Sequence, residues 1–209
     1  MNDVRRTLVK GGPRRGLLAY ALWGVALIGV AGVLYVIVQA AIKPGGGPAD
    51  LKSLAHGEMA KLEVGGKAAP APTTPILDAE GRTITLADLK APVVVVNLWA
   101  TWCPPCVKEM PTLAALQAAY PGRVRVAPIS MDALPDREKA RAFIAEHPPL
   151  AFYQDPKSAL AFALDPPSEG FPTTVIYDAS GHERARLAGA ADWNSADARA
   201  VVEALLREH

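Results

Sequence analysis

The longest apolar stretch of the 209-residue chain runs from Leu17 to Ile42 and contains no charged side chain. A helix of these 26 residues would be about 39 Å long, which exceeds the roughly 30 Å of hydrocarbon in a bilayer. The pattern therefore predicts a single transmembrane anchor at residues 17–42. A cleaved signal peptide is the alternative, with Val38-Gln39-Ala40 as its cleavage site, but the apolar part of a signal peptide is normally only about 7–15 residues long.

Charged residues on either side of this stretch predict its orientation. Lys43 and Lys52 follow it closely, whereas five basic residues precede it: Arg5, Arg6, Lys10, Arg14 and Arg15. Because positive charge marks the cytoplasmic end of a membrane helix, we expect residues 1–16 to be cytoplasmic. The chain would then cross the inner (cytoplasmic) membrane once and place its remainder in the periplasm. Residues 43–63 are the predicted tether, rich in glycine at first and then either briefly helical or irregular.

From residue 64 onward, strand-like and helix-like segments alternate, which predicts one α/β domain at residues 64–209. Four β-branched residues, Val93 to Val96, indicate a strand buried on both faces. The other predicted strands are 76–78 and 82–84, which form a hairpin, and 124–130, 150–153, 173–177 and 183–187. The predicted helices are 112–120 with the residues just before it, 137–146 capped by Asp136, 156–164, and 196–207 capped by Ser195. This order predicts a mixed sheet with helices on both faces.

The candidate chemistry lies in Cys103 and Cys106, the only two cysteines of the chain. They follow the 93–96 strand and begin the next helix, so Cys103 would lie at a helix N-terminus, where free N–H groups favour a thiolate. Cys106 follows one turn later, close enough for a reversible disulfide. In an exported domain, such a pair indicates a redox dithiol. A structural or zinc-bound pair is the alternative, but a zinc site needs about four ligands, and the histidines are scattered: His56, His147, His182 and His209.

Three separated motifs carry a resemblance to a known family: the sequence WATWCPPC at residues 99–106, Glu109 three residues later, and Phe171-Pro172-Thr173-Thr174. Together they resemble the thioredoxin superfamily, and within it the membrane-anchored TlpA/ResA/CcmG-like thiol-disulfide oxidoreductases. The resemblance extends from Val64 to Leu206. It implies a thioredoxin fold with an N-terminal β-hairpin extension. The segment from Gly189 to Trp193 makes TlpA the nearest branch.

The residues predict that Cys103, at the helix end, attacks a client disulfide and that Cys106 resolves the mixed disulfide. Thioredoxin has a buried aspartate six residues before its first cysteine, and Asn97, which cannot titrate, occupies that position here. The resemblance assigns proton exchange with the dithiol to Glu109 instead. A solvated helix glutamate is the alternative.

The resemblance also assigns a cis-proline loop to the Phe171-Pro172 motif. Pro172 would face the two sulfurs, and the backbone of Phe171 would pair with an extended segment of the client. A trans proline in an ordinary turn is the alternative. Trp102, beside Cys103, is expected on the docking surface, whereas Trp99 is expected in the core. Residues 165–170 lengthen the stretch before Pro172 relative to thioredoxin, and we expect them to contribute to partner choice.

Pro104 and Pro105 predict the direction of the reaction. Neither has a backbone N–H, so near the Cys103 sulfur only Cys106, with Val107 as a second candidate, could donate one. A less stabilised thiolate makes the reduced pair less stable, which favours a reductant over an oxidant. Both prolines are also expected to contact the client.

Charge gives little indication of a partner. The chain has 22 basic and 21 acidic residues and no basic stripe, so nucleic acid is not expected to bind. The resemblance implies clients with disulfides, either apocytochrome c or copper-site assembly proteins, and a membrane electron donor. We expect no metal and no cofactor other than the redox-active Cys103–Cys106 disulfide. A Cu(I) chaperone using the same thiols is the alternative of a different class, and a disulfide-forming oxidant is a third.

Overall fold

The computed structural model describes residues 50–65 and 69–208, together with Gly29. The predicted basic segment at 1–16 lies outside the described residues, as does the predicted anchor at 17–42 apart from Gly29. Within the described ranges, no helix is both long enough and apolar enough to cross a bilayer.

In the described part of the chain, eight strands form a single mixed sheet. They are β1 (Glu63–Val64), β2 (Ile76–Leu77), β3 (Thr83–Ile84), β4 (Val93–Trp99), β5 (Val124–Ser130), β6 (Tyr153–Gln154), β7 (Thr173–Asp178) and β8 (Glu183–Ala188). Their spatial order is β1-β8-β7-β4-β5-β6-β2-β3. Strands β4, β5 and β6 are parallel, and β7 lies antiparallel beside β4. The β2–β3 hairpin joins the edge at β6, so the predicted mixed sheet with a hairpin extension is confirmed.

Four α-helices and four short 3-10 helices accompany this sheet in the described residues. The α-helices are α1 (Pro104–Ala119), α2 (Arg137–Ala145), α3 (Ala159–Ala163) and α4 (Ala196–Leu206). The 3-10 helices are Leu51–Leu54, Gly57–Lys61, Leu86–Asp88 and Leu134–Asp136. Ser195 caps α4 as predicted, because its hydroxyl accepts the Ala198 N–H at 3.2 Å. Asp136 occupies the N-cap position of α2 as predicted, but its side chain makes no capping hydrogen bond.

The central strand β4 is buried along its whole length, which explains the continuous apolar run from Val93 to Val96. Val95 and Trp99 pack in the core layer that contains α1 and α4, whereas Val96 and Leu98 pack with α3 on the opposite face. Because side chains alternate along a strand, Asn97 shares the face of Trp99. The alternation therefore turns the only polar residue of β4 toward α1.

Two predicted elements near β6 are shorter than the apolar pattern indicated. The strand predicted at 150–153 is wrong except for its last residue, since β6 comprises only Tyr153 and Gln154. The helix predicted at 156–164 begins at Ala159, because the buried Asp155 carboxylate accepts the Leu160 N–H at 2.7 Å. A side chain that holds the turn before α3 thus replaces the first turn of the predicted helix.

Residues 51–62 correct the predicted tether at 43–63. They form two 3-10 helices, and Leu51, Met59 and Leu62 are buried in the same core layer as α1 and α4. The Lys52 ammonium joins the two turns by donating to the carbonyls of Ala60 and Leu62 at 2.7 and 2.9 Å. The folded domain therefore includes these residues, which the sequence assigned to the tether as either a short helix or irregular chain.

Truncation of Met59 tests this boundary. Met59→Ala should lower the free energy of unfolding by about 2–5 kcal/mol, because it removes a large buried side chain from the core. Denaturant unfolding followed by near-UV circular dichroism measures the change. Lys61→Ala, at an exposed site in the same turn, is the matched control and should shift stability by no more than about 0.5 kcal/mol. Equal unfolding midpoints for the two variants would show that the segment does not contribute to the core.

Candidate active site

The two cysteines lie where β4 leads into α1 and are joined by a disulfide, with 2.06 Å between the sulfurs and 5.3 Å between the Cα atoms. Cys103 is the N-cap residue of α1, and Pro104 and Pro105 form its first turn. Proline fits there because the first helical N–H groups have no intrahelical partner. Cys106 is completely buried, whereas Cys103 retains 5% exposure and adjoins the exposed prolines. The geometry thus makes Cys103 the sulfur nearer to a client.

Few backbone donors remain near the Cys103 sulfur. The prolines have none, and the Val107 N–H donates to the Cys103 carbonyl at 3.1 Å. The Val107 N–H, which the sequence left as a second candidate donor, is therefore already used in a backbone hydrogen bond. In the first turn of α1, Cys106 is left as the residue whose N–H can face a Cys103 thiolate.

A buried carboxylate that the sequence analysis missed holds the loop before Cys103. Asp132 follows β5, and its carboxylate accepts the Thr101 backbone N–H at 3.0 Å and the Thr101 hydroxyl at 2.8 Å. The Ser130 hydroxyl donates to the same carboxylate at 2.9 Å. Strands β4 and β5 are parallel, so their carboxyl ends meet at one edge of the sheet. An aspartate two residues after the end of a buried strand was the available signal for this contact.

Glu109 is buried, with 3% exposure, and lies on α1 three residues after Cys106. Its carboxylate accepts three hydrogen bonds: from the Asn97 amide at 2.8 Å, the Ala191 backbone N–H at 3.1 Å and the Trp193 indole at 3.2 Å. Burial raises the pKa of Glu109 to about 7, against the opposing effect of these three donors. All three donors are neutral, so none of them supplies the positive charge that would lower the pKa of Glu109 to its usual value. The solvated-glutamate alternative is therefore wrong.

Asn97 links Glu109 to the strand beside β4. Its amide nitrogen donates to Glu109 and also to the Thr174 hydroxyl at 2.9 Å, while its amide oxygen is buried without a partner. A 180° turn of the amide would present that oxygen to Glu109, where it could accept a hydrogen bond from the protonated acid. Asn97 can therefore serve both protonation states of Glu109, although it cannot titrate.

The Phe171–Pro172 peptide bond is cis, which confirms the expectation for this loop. Pro172 is buried just before β7, and its carbonyl accepts the Gly189 N–H at 2.8 Å. The Phe171 ring lies 5.9 Å from the ring of Trp102, which is 63% exposed. Trp99 is fully buried. The structure thus brings the predicted docking residues Trp102 and Phe171 together and places Trp99 in the core.

Residues 165–170 are held against the domain at two points. The buried Arg186 guanidinium on β8 donates to the Pro166 carbonyl, and the Ser168 N–H donates to the Ala161 carbonyl of α3 at 2.8 Å. Both contacts fix the backbone of the segment that leads to Phe171.

In residues 50–65 and 69–208, no group of three or more His, Cys, Asp or Glu side chains is arranged to hold a metal ion.

Comparison with known proteins gives a consistent result. The Redoxin family model matches residues 63–205. Thiol-disulfide oxidoreductase ResA of Bacillus cereus is 30% identical over 132 residues, which are 62% of this chain and 72% of that protein. The thiol:disulfide interchange protein DsbE homolog of Paracoccus denitrificans is 37% identical over 99 residues, or 46% of this chain and 51% of that protein.

Solved structures agree with these matches. A thiol:disulfide interchange protein DsbE from Chlorobium tepidum superposes with a TM-score of 0.58 and 25% identity, covering 69% of this chain and 98% of that one. A secreted thiol-disulfide isomerase from Corynebacterium glutamicum has the same TM-score and identity, covering 70% and 92%.

Proposed function

Because this chain belongs to the redoxin family, as a thiol-disulfide oxidoreductase of the ResA and DsbE type, we propose that it reduces disulfides in exported client proteins. The observation that carries the direction is the first turn of α1. The two prolines have no N–H, and the Val107 N–H already donates to the Cys103 carbonyl, so a Cys103 thiolate would accept few hydrogen bonds there. A poorly stabilised thiolate makes the dithiol the less stable form of the pair, so the pair gives up its electrons readily.

In the proposed reaction, the Cys103 thiolate attacks one sulfur of a client disulfide and releases the other as a client thiolate. The Glu109 carboxylate takes the proton of the Cys106 thiol, and the Cys106 thiolate attacks the Cys103 sulfur of the mixed disulfide. This releases the second client thiolate and leaves the Cys103–Cys106 disulfide. Two electrons pass from the dithiol to the client, and both client thiolates take protons from water. A carboxyl with a pKa of about 7 suits this proton transfer near neutral pH.

Client docking in this proposal uses the surface around the dithiol. Trp102 and Phe171 form an adjacent aromatic pair, and Pro104 and Pro105 are exposed beside Cys103. The backbone of Phe171, before the cis bond to Pro172, would pair with an extended client segment, as strand addition does in other peptide complexes. Residues 165–170, at the rim of this surface, would influence which client binds.

The proposed setting is the periplasmic face of the inner membrane. The uncharged run at residues 17–42 would anchor the chain, and the basic residues before it would keep the N-terminus inside. The resemblance to TlpA/ResA/CcmG-like proteins makes apocytochrome c and copper-site assembly proteins the candidate clients. The oxidised pair would be reduced again by a membrane electron donor.

The reduction potential of the Cys103–Cys106 pair tests the direction. The full chain in detergent is equilibrated with defined thiol buffers, and its free thiols are counted by alkylation and gel shift. We expect a potential below about −220 mV, nearer to thioredoxin at about −270 mV. A value near about −120 mV, as in DsbA, would identify an oxidant instead. Pro105→His adds an ionisable donor between the cysteines and is the internal control, since it should raise the potential.

A further inference from the structure

A solvent cavity of about 280 Å³ lies beside Glu109, on the flank of α1. Its walls come from three parts of the chain: Glu109 and Thr112 on α1, Ala190 and Asp192 before α4, and Glu58 in the 3-10 helix Gly57–Lys61. One water occupies about 30 Å³ in the liquid, so this space can hold several water molecules. The cavity therefore provides a place for water next to a carboxyl that is otherwise enclosed.

The residues that line the cavity differ in their exposure to solvent. Glu58, Asp192 and Lys108 are exposed and form its outer part, whereas Glu109 is buried at its inner wall. Glu58 and Asp192 are joined, because the Glu58 carboxylate accepts the Asp192 N–H at 2.7 Å. The cavity thus connects bulk water with the buried carboxyl through polar side chains.

A route of this kind is required once a client is attached to Cys103. Cys106 is completely buried, and the client covers the dithiol edge of the domain in the mixed disulfide. A Glu109 that is protonated at that moment cannot accept the Cys106 proton until its own proton has left. We propose that this proton leaves through the cavity to bulk water, on the flank of α1 that the client does not cover. This inference rests on the proposed function and adds a path to it.

One wall of this path lies outside the part of the chain that matches the family. The Redoxin match begins at residue 63, whereas Glu58 precedes it. The buried Met59 beside it fixes that turn in the core. Residues 57–61 thereby shape the mouth of a cavity whose inner wall belongs to the matched domain. Relatives that lack such a segment would have a differently shaped outlet.

Filling the cavity tests the path. Ala190→Leu adds three carbon atoms to a half-buried wall position but keeps the Ala191 and Trp193 donors to Glu109. The reduced full chain is mixed with a disulfide-linked dimer of a small folded protein, and the mixed disulfide is followed by acid quench and alkylation. At pH 7 the wild type should show one decay phase. The variant should show a second phase that is about tenfold slower, with an amplitude that falls as the pH rises and Glu109 ionises.

Hydroxyethyl disulfide is the comparison substrate, because it is too small to cover the dithiol edge. With it, Ala190→Leu should decay in one phase at the wild-type rate. Ala119→Leu, at an exposed position on the last turn of α1, is the matched control and should leave both substrates unaffected. Ala190→Val replaces Ala190→Leu if the larger side chain prevents folding.

The results separate this inference from the proposed function. A slow phase of equal size on both substrates would indicate a distorted site and overturn the path, as would wild-type kinetics on the protein substrate. Glu109→Gln should slow both substrates. If Glu109→Gln slows both and Ala190→Leu slows neither, the path alone is wrong. If Glu109→Gln has no effect, the proton-transfer role of Glu109 in the proposed function is wrong.

Discussion

A Cys106→Ser variant is expected to accumulate as a covalent complex with its client. Cys103 can still attack a client disulfide, but the buried position 106 no longer has a thiol to displace the client. A serine hydroxyl is far less acidic than a thiol and does not replace it. Steady-state turnover should fall by about 10³-fold or more, as loss of an essential nucleophile typically causes. Non-reducing electrophoresis of the variant with a disulfide-bearing protein shows the trapped species directly.

The Cys103→Ser variant tests which of the two cysteines attacks the client. Cys103→Ser leaves only the buried Cys106 thiol and should trap very little client. If the two variants trapped equal amounts, the assignment of attacking and resolving thiols would be wrong. Cys106→Ala checks for a structural effect, since a serine hydroxyl buried without a partner costs about 1–3 kcal/mol, whereas alanine has no polar group. It should trap client as well as Cys106→Ser does.

Local sequence was sufficient to predict the centre of this domain. The Val93–Val96 run indicated a strand covered on both faces, and the structure buries every residue of β4. The cysteine spacing at the end of that strand then placed the dithiol at a helix start. These features depend on periodicity and on backbone chemistry within a few residues, which a single sequence carries directly.

The surroundings of Glu109 could not be predicted in the same way. Ala191 and Trp193, which donate two of its three hydrogen bonds, are 82 and 84 residues away along the chain. No local pattern reports a contact over that distance. The same reason applies to residues 51–62, where a few apolar side chains in a polar segment find their partners only after the domain has folded.

Glu109→Gln should reduce the rate at which Cys106 resolves the mixed disulfide by about 100-fold, within the range typical of a positioned general base. The wild-type rate should rise through an inflection near pH 7, because the pKa of Glu109 is raised to about 7. In the variant this inflection should disappear. Single-turnover rates measured from pH 5 to pH 9, with about 0.5 pH unit between points, provide the profile.

The same substitution should increase the stability of the folded protein above pH 7, although it slows the reaction. Folding raises the Glu109 pKa from 4.5 to about 7, so the folded oxidised protein holds a proton that the unfolded chain releases between those values. The free energy of unfolding should therefore fall as pH rises through this window, by about 3 kcal/mol from this group. Glutamine cannot ionise, so Glu109→Gln should lose this pH dependence and be the more stable protein above pH 7.

This combination distinguishes a functional carboxyl from a structural one. Asn97 can turn its unpaired amide oxygen toward the glutamine amide, so the variant should keep its packing while it loses its base. Glu138→Gln, at an exposed position on α2, is the control and should change neither profile. A variant that resolved slowly but kept the inflection near pH 7 would show that Glu109 is not the group that titrates there. A variant that was slow and also less stable at high pH would show that Glu109 supports the site rather than transferring its proton.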